Sequence, residues 1–170
     1  MMKNILKTYS PIIGFVAPPV LYLLFFAMGS VAFSALGLSA ENMLLGVVVI
    51  SVIVWSWSLV AGRSQYKFLK KRDLGGNFKD TFGINSIAVC SQIIIWLFVN
   101  VFTGNMWESL AFILILMLVV GSCIRVFLSN LILSLETSTS LNSLKVVLIE
   151  DVLIYGLLIF FALTMGGTFL

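Results

Sequence analysis

The stretch LAFILILMLVVGSCIRVFLSNLIL, residues 110–133, contains a single charged side chain, Arg125. A transmembrane helix needs about 20 predominantly apolar residues, whereas a transmembrane β-strand needs about 10 residues of alternating polarity. A membrane segment must satisfy its own backbone hydrogen bonds, which restricts it to helices or closed barrels. The length and the apolar character of this stretch therefore predict a transmembrane α-helix.

Four further apolar runs accompany this stretch, and their approximate limits are 12–38, 43–61, 84–102 and 146–165. Over the whole chain, 61% of the residues are hydrophobic and 10% are charged, whereas a soluble domain has about 25% charged residues. We therefore predict an all-α, polytopic membrane helical bundle of about five transmembrane helices. Pro18 and Pro19 are expected to kink or split the first helix, because proline lacks a backbone donor.

The 170 residues contain no linker long enough to separate two units, so we predict a single membrane domain. An extra N-terminal helix is expected over 11–38, a first hairpin over 43–103 and a second hairpin over 108–166. The longest polar connectors are 62–83 and 135–145. The short connector 104–109 holds Trp107, which would suit an anchor at the membrane interface.

The basic residues sort to one side of a path with five spans. Nine of the ten lie on the same side, namely Lys3, Lys7, six residues within 62–83, and Lys145. The tenth is Arg125, inside a predicted helix, and the opposite connectors contain none. Cytoplasmic loops carry the excess of Lys and Arg. We therefore expect a multi-pass protein with a cytoplasmic N-terminus.

Several classes of site are missing from the sequence. The chain has no His, and Cys90 and Cys123 lie in apolar runs, where both are expected to be small buried residues. The sequence shows no metal-ligand pattern, no Ser-His-Asp set, no phosphate-binding glycine loop and no long basic tract. We therefore expect no catalysis by this chain alone, no cofactor, no metal and no nucleic-acid partner.

Ionisable residues inside the apolar runs are the main functional signal, because a charge is costly in lipid. Glu150 is the candidate proton carrier, since a carboxyl that can be neutral in lipid can take up a proton on one side and release it on the other. The alternative is that Glu150 and Asp151 lie near the cytoplasmic interface, a few residues after Lys145. Adjacent helix residues point about 100° apart, so only one of the two acids can face a given partner.

Arg125 shares a helix face with Gly121 and Ser129. It could pair with Glu150 or with Asp151 across the second hairpin, or extend to the cytoplasmic headgroups. Gln92 lies on one face with Asn85 and is expected to hydrogen-bond between helices.

Two further patterns were considered. Ser51, Ser58 and Gly62 share a face that indicates a helix-packing seam. The basic residues from Arg63 to Lys79 are typical of a topology signal, although they could also contact acidic lipid headgroups or an acidic partner.

Residues 43–170 resemble the proteolipid subunits that form the rotor ring of V-type ATPases. The resemblance is carried by Glu150 followed by Tyr155 and Gly156 in an apolar helix, and by Lys79-Asp80 leading into the helix that starts near Ile84. An additional N-terminal helix is similar to the c-double-prime variety of ring subunit. The bulky Trp55 and Trp57 and the cationic Arg125 depart from the glycine-rich pattern of that family.

The resemblance implies a proton-translocating ring subunit in which Glu150 carries the proton. Asp151, Arg125, Gln92 and Tyr155 would be candidates for a second site or a pairing contact. The implied partners are the lipid bilayer, other membrane subunits of the ring and a stator subunit that supplies an Arg, and the implied location is a vacuolar-type endomembrane.

The alternative interpretation is a structural or assembly subunit of another multi-subunit membrane complex, in which these residues only make packing contacts. A standalone transporter is a third interpretation, but the sequence shows neither inverted repeats nor paired broken helices.

Overall fold

A computed structural model describes residues 2–35, 40–103 and 110–166, and this part of the chain forms α-helices without β-strands. The five helices are α1 (Met2–Ala35), α2 (Ala40–Lys70), α3 (Phe78–Thr103), α4 (Leu110–Leu133) and α5 (Thr137–Gly166). The predicted all-α class is confirmed. Two of the stretches, Val47–Lys70 and Ile115–Leu133, are long and apolar enough to cross a membrane. The connector 104–109, with Trp107, lies outside the described residues.

The third helix lies at the centre of the bundle, where it packs against α1, α2 and α4, while α5 packs against α2 and α4. In α1, Ser10 lies against Gly83 and Gly14 lies against Ser86, so α1 and α3 run in the same direction. Hydrogen bonds join Asn85 to Arg125 and Gln92 to Met117, so α4 runs opposite to α3.

The three prolines of α1 do not split it, since Met2–Ala35 forms one helix that contains Pro11, Pro18 and Pro19. A helical proline removes the hydrogen bond to the carbonyl four residues earlier. Pro18 and Pro19 therefore release the carbonyls of Gly14 and Phe15.

Both released carbonyls are bonded by neighbouring helices. The Ser86 hydroxyl donates to Gly14, and the indole N–H of Trp55 donates to Phe15 at 3.1 Å. Such bonds are a general means by which membrane helices tolerate proline. The prolines thus join α1 to α2 and α3 where the sequence predicted a kink or a break.

Four helices extend well beyond their predicted apolar runs. The first begins at Met2, the second continues to Lys70, the third begins at Phe78 and the fifth begins at Thr137. Most of the predicted connectors 62–83 and 135–145 are therefore helical. The extensions are amphipathic. Gln65, Leu69 and Ser143 are buried, whereas Lys67 and Lys145 are exposed. Hydropathy alone could not predict these ends, since the exposed cations and the buried polar side chains both lower the mean hydropathy.

The turn between α2 and α3 is short and well capped. Asp73 has a positive φ of 51°, the backbone N–H of Leu74 donates to Leu69, and that of Asp73 donates to Lys70. This pattern is a Schellman motif, in which a left-handed residue ends the helix.

The interior of the bundle contains both apolar core residues, such as Ile84 and Ile132, and an unusual number of polar side chains. The fully buried residues include Arg125, Asp151, Asn85 and Gln92. Large apolar side chains are exposed on α1, α2, α4 and α5, and among them Ile149 is 66% exposed. Cys90 is buried as predicted, but Cys123 is exposed, so the prediction that both cysteines are buried is wrong for Cys123.

Candidate functional site

The centre of the bundle contains a buried ion pair between α4 and α5. The Arg125 side chain is 2% exposed and the Asp151 side chain is 0% exposed. The Nη1 atom of Arg125 donates to Oδ2 of Asp151, and its Nη2 atom donates to Oδ1 at 3.2 Å. Two parallel hydrogen bonds fix the orientation of the guanidinium group as well as its charge partner.

The ion pair is bonded further to α2 and α3. The indole Nε1 of Trp57 donates to Asp151 Oδ1 at 2.9 Å, and Arg125 Nε donates to Asn85 Oδ1 at 3.0 Å. The Asn85 amide donates in turn to Gln65 Oε1 at 2.8 Å. The ion pair therefore holds four helices in one hydrogen-bond network, which we call the Arg125 network.

Gln65 connects the Arg125 network to two further polar residues, one on α4 and one on α5. Its Nε2 atom donates to the hydroxyls of Ser129 at 3.0 Å and Ser143 at 3.4 Å. Ser143 donates to the carbonyl of Ser140 at 2.8 Å. These polar groups are buried and bonded to each other, as a low-dielectric interior requires.

Helix spacing explains how these residues meet. Gly121, Arg125 and Ser129 recur every four residues on α4, and all three are buried. On α2, the seven-residue spacing of Ser51 and Ser58 continues to Gln65, and these three are also buried. The α2 and α4 helices thus each present one stripe of small and polar residues to the interior of the bundle.

Glu150 points away from the Arg125 network. The Ser64 hydroxyl donates to its Oε1 atom, while its Oε2 atom is buried without a hydrogen-bond partner among the described residues. No ion pair includes Glu150 in the part of the chain whose side chains are described. Its neighbours Val152 and Leu153 are 55% and 62% exposed. The carboxyl itself is buried between α5 and α2, beside apolar side chains that are exposed on the outer face of α5.

Tyr155 and Gln92 lie next to the network but are not bonded to it. The Tyr155 ring packs edge-on against Trp57, with the ring centroids 5.0 Å apart, and its hydroxyl is buried without a partner in the described structure. Gln92 donates to the carbonyl of Met117 at 3.2 Å. A Cβ on Gly121 would lie 2.0 Å from Gln92 Nε2, so the glycine makes room for the amide.

The structure thus resolves the pairing that the sequence left open, because Arg125 binds Asp151 and Glu150 binds Ser64. Residues Trp57, Gln65 and Ser64 complete these contacts and were not predicted as site residues. The seven-residue spacing on α2 would have indicated Gln65. Nothing in the sequence indicates that Trp57, whose ring is large and apolar, donates to Asp151.

No cluster of three or more metal-ligating side chains occurs among the described residues. Comparison of the chain with protein-family models, with curated proteins and with solved structures gives no match.

The contacts of Asp151 and Glu150 make these adjacent acids chemically different. Asp151 has a fixed cationic partner, whereas Glu150 has a neutral hydroxyl donor and one free oxygen atom.

Proposed function

We propose that this chain is a multi-pass membrane subunit that carries protons on the carboxyl of Glu150. The observation that carries the proposal is the contrast between the two adjacent acids. Asp151 takes the buried Arg125 as its partner, which leaves Glu150 with a hydroxyl donor and no counter-charge among the described side chains. A carboxyl of this kind can gain and lose a proton without breaking an ion pair.

Location in the membrane is supported by the distribution of side chains. Exposed contiguous apolar surface of this extent needs a cover in water, whereas lipid covers it without cost. The exposed cations Lys7, Arg63, Lys79 and Lys145 lie in the polar segments that the charge distribution assigns to the cytoplasm. All five helices would span the bilayer, with the N-terminus cytoplasmic.

The depth of Glu150 in α5 is compatible with this role. Glu150 follows the exposed Lys145, which the charge distribution assigns to the cytoplasmic side, by five residues, which corresponds to about 8 Å along the helix axis. A bilayer core is about 30 Å thick. A carboxyl buried between two helices inside such a core would lie in a low-dielectric setting, where the neutral form is strongly preferred over the charged form.

In its most specific form, the proposal makes the chain a proteolipid subunit in the rotor ring of a V-type ATPase. Glu150 would be neutral while it faces lipid and would release its proton beside an Arg of a stator subunit. The chain would catalyse nothing itself, because ATP hydrolysis would belong to partner subunits. The support for this form is the resemblance around Glu150, Tyr155 and Gly156, and the open space beside Gly156 on the outer face of α5.

A second candidate function is favoured by the Arg125 network. A buried pair that joins four helices is typical of a rigid scaffold, so the chain could be a structural or assembly subunit of another membrane complex. In that case Glu150 would be a packing residue and no ion would move.

Replacement of Glu150 by Gln separates the two functions. The side chain keeps its size and its hydrogen bond from Ser64 but loses the proton. In membrane vesicles from the source cells, a pH-sensitive dye would report ATP-driven acidification, and a tag on this chain would report assembly of the complex. Asp73→Asn, an exposed acid in a turn, is the matched control.

Proton carriage predicts that Glu150→Gln assembles normally but abolishes acidification, while Asp73→Asn retains it. Normal acidification by Glu150→Gln would refute the proton-carrying role and favour the structural one.

A further inference from the structure

We infer that the surface between α1, α2 and α3 is a binding site for an anionic phospholipid, with one acyl chain in an apolar groove and the phosphate among Lys7, Arg63 and Lys79. The inference rests on the proposed membrane location but not on proton transport by Glu150.

The groove has a volume of about 350 Å³, which lies within the range of about 300–1,000 Å³ for small-molecule sites. It is open on one side and lined by Pro11 and Phe15 of α1, Trp55 and Leu59 of α2, and Phe78 and Phe82 of α3. The one charged residue in its lining is Lys79. A wall of rings and aliphatic side chains of this shape suits a hydrocarbon chain.

The inner wall of the groove is preformed. The Trp55 and Phe15 rings stack with their centroids 4.5 Å apart and their planes within 3°. The Trp55 indole N–H is held by the Phe15 carbonyl that Pro19 releases. Because the largest side chain in the wall is fixed by both contacts, a ligand would meet a surface that needs little ordering on binding.

Three cations lie toward one end of the groove. Lys79 lines it directly, Lys7 precedes Pro11 by one helical turn, and Arg63 follows Leu59 by one turn. Residues four apart lie on the same helix face, and α1 and α2 run in opposite directions, so Lys7 and Arg63 extend the groove toward the same end as Lys79. The side chains of all three cations are exposed.

An apolar groove with cations at one end complements an anionic amphiphile. The phosphate of a phospholipid would meet the cations, while its acyl chain would lie against Trp55 and Phe15. A zwitterionic lipid carries its own compensating positive group and gains less from three cations. Each Lys or Arg near a membrane surface favours anionic lipid by about 1 kcal/mol, or about fivefold.

The test reconstitutes the protein into bilayers that contain brominated phosphatidylglycerol or brominated phosphatidylcholine. Bromine on the acyl chain quenches nearby indole fluorescence, and the component that disappears in Trp55→Phe reports the groove. We expect phosphatidylglycerol to quench the Trp55 component at a mole fraction at least tenfold lower than phosphatidylcholine does. This tenfold ratio is a conservative value, because three cations with a fivefold preference each would together give a larger one.

Two triple variants with equal loss of charge provide the comparison. Lys7→Gln/Arg63→Gln/Lys79→Gln should lose the preference, and Lys71→Gln/Arg72→Gln/Lys145→Gln, which alters exposed cations away from the groove, should retain it. Native mass spectrometry of the detergent-solubilised protein gives a second measure, because retained phosphatidylglycerol should be lost only from the first triple variant.

Equal quenching of Trp55 by both lipids, or equal loss of preference in both triple variants, would overturn the site while leaving the membrane location intact. No quenching by either lipid would overturn the site together with the membrane location. Acidification by Glu150→Gln is measured independently, so failure of the lipid site and failure of proton transport are distinguishable.

Discussion

Removal of one member of the Arg125–Asp151 pair should destabilise the bundle far more than removal of both. In Asp151→Asn the side chain keeps its shape but loses its charge, and Arg125 remains as a buried cation. Asp151 accepts three hydrogen bonds, two from Arg125 and one from Trp57. An amide has one oxygen, so at least one of these donors would face an N–H group instead of an acceptor.

Loss of one partner from a buried ion pair costs about 3–5 kcal/mol, because the remaining charge stays buried without compensation. The exposures of 2% for Arg125 and 0% for Asp151 place this pair in that class. Arg125→Gln should also be strongly destabilising, since it leaves the buried Asp151 carboxyl without its two guanidinium donors. Arg125→Gln/Asp151→Asn buries no net charge, so its cost should fall at least about 2 kcal/mol below the sum of the single costs.

The assay is reversible unfolding in mixed micelles of a mild and a denaturing detergent, followed by circular dichroism. Lys71→Gln and Asp73→Asn each remove one charge at an exposed position and should change stability by less than about 0.5 kcal/mol. Additive costs in the double variant, or a loss below about 1 kcal/mol in both single variants, would refute the conclusion that this ion pair joins the helices.

Three further predictions use the same unfolding assay. Gly83→Ala should be strongly destabilising, since its Cβ would lie 2.5 Å from the backbone oxygen of Ser10. Gly156→Ala, whose Cβ meets open space, should be neutral or stabilising by up to about 1 kcal/mol. Equal effects of the two variants would contradict the close contact between α1 and α3. Gly121→Ala should be destabilising and partly rescued by Gln92→Ala, which removes the atoms that the new Cβ would meet; absence of rescue would contradict that contact. Ser86→Ala should cost about 1–3 kcal/mol because it leaves the Gly14 carbonyl without a donor, while Ser91→Ala, whose hydroxyl bonds within its own helix, should cost much less.

The apolar pattern predicted α4 correctly over Leu110–Leu133, because this helix is apolar along its whole length and ends where the apolar residues end. The same pattern missed the last part of α2 and the first part of α5. In those parts polar side chains such as Gln65 and Ser143 share the buried face with Leu69 and Leu144, and Lys67 and Lys145 are exposed. The low mean hydropathy that results assigns them to a loop. A periodicity analysis that includes polar residues would be needed to find them.

The sequence identified Arg125, Glu150 and Asp151 as the notable residues but did not show which of the two acids pairs with Arg125. Their directions differ by about 100°, and the choice depends on which face of α5 packs against α4. That packing depends on long-range contacts such as the Trp57–Asp151 bond across 94 residues. The pairing was therefore accessible only from the three-dimensional arrangement of the helices.

The role of the prolines was missed for a similar reason. Local chemistry correctly indicates that Pro18 and Pro19 remove two helical hydrogen bonds. It does not show that Ser86 and Trp55 lie opposite the released carbonyls. An expected break in α1 is thus replaced by two bonds between helices.

The central claim, that the carboxyl of Glu150 carries a proton, is tested most directly by labelling with a hydrophobic carbodiimide. This reagent enters lipid and adds to protonated carboxyl groups, and peptide mass spectrometry locates the adduct. We predict modification of Glu150, with Asp151 protected by its ion pair with Arg125 and Asp73 left unmodified in its exposed turn. Modification of Asp151 in preference to Glu150, or no modification of Glu150 at any accessible pH, would contradict the claim.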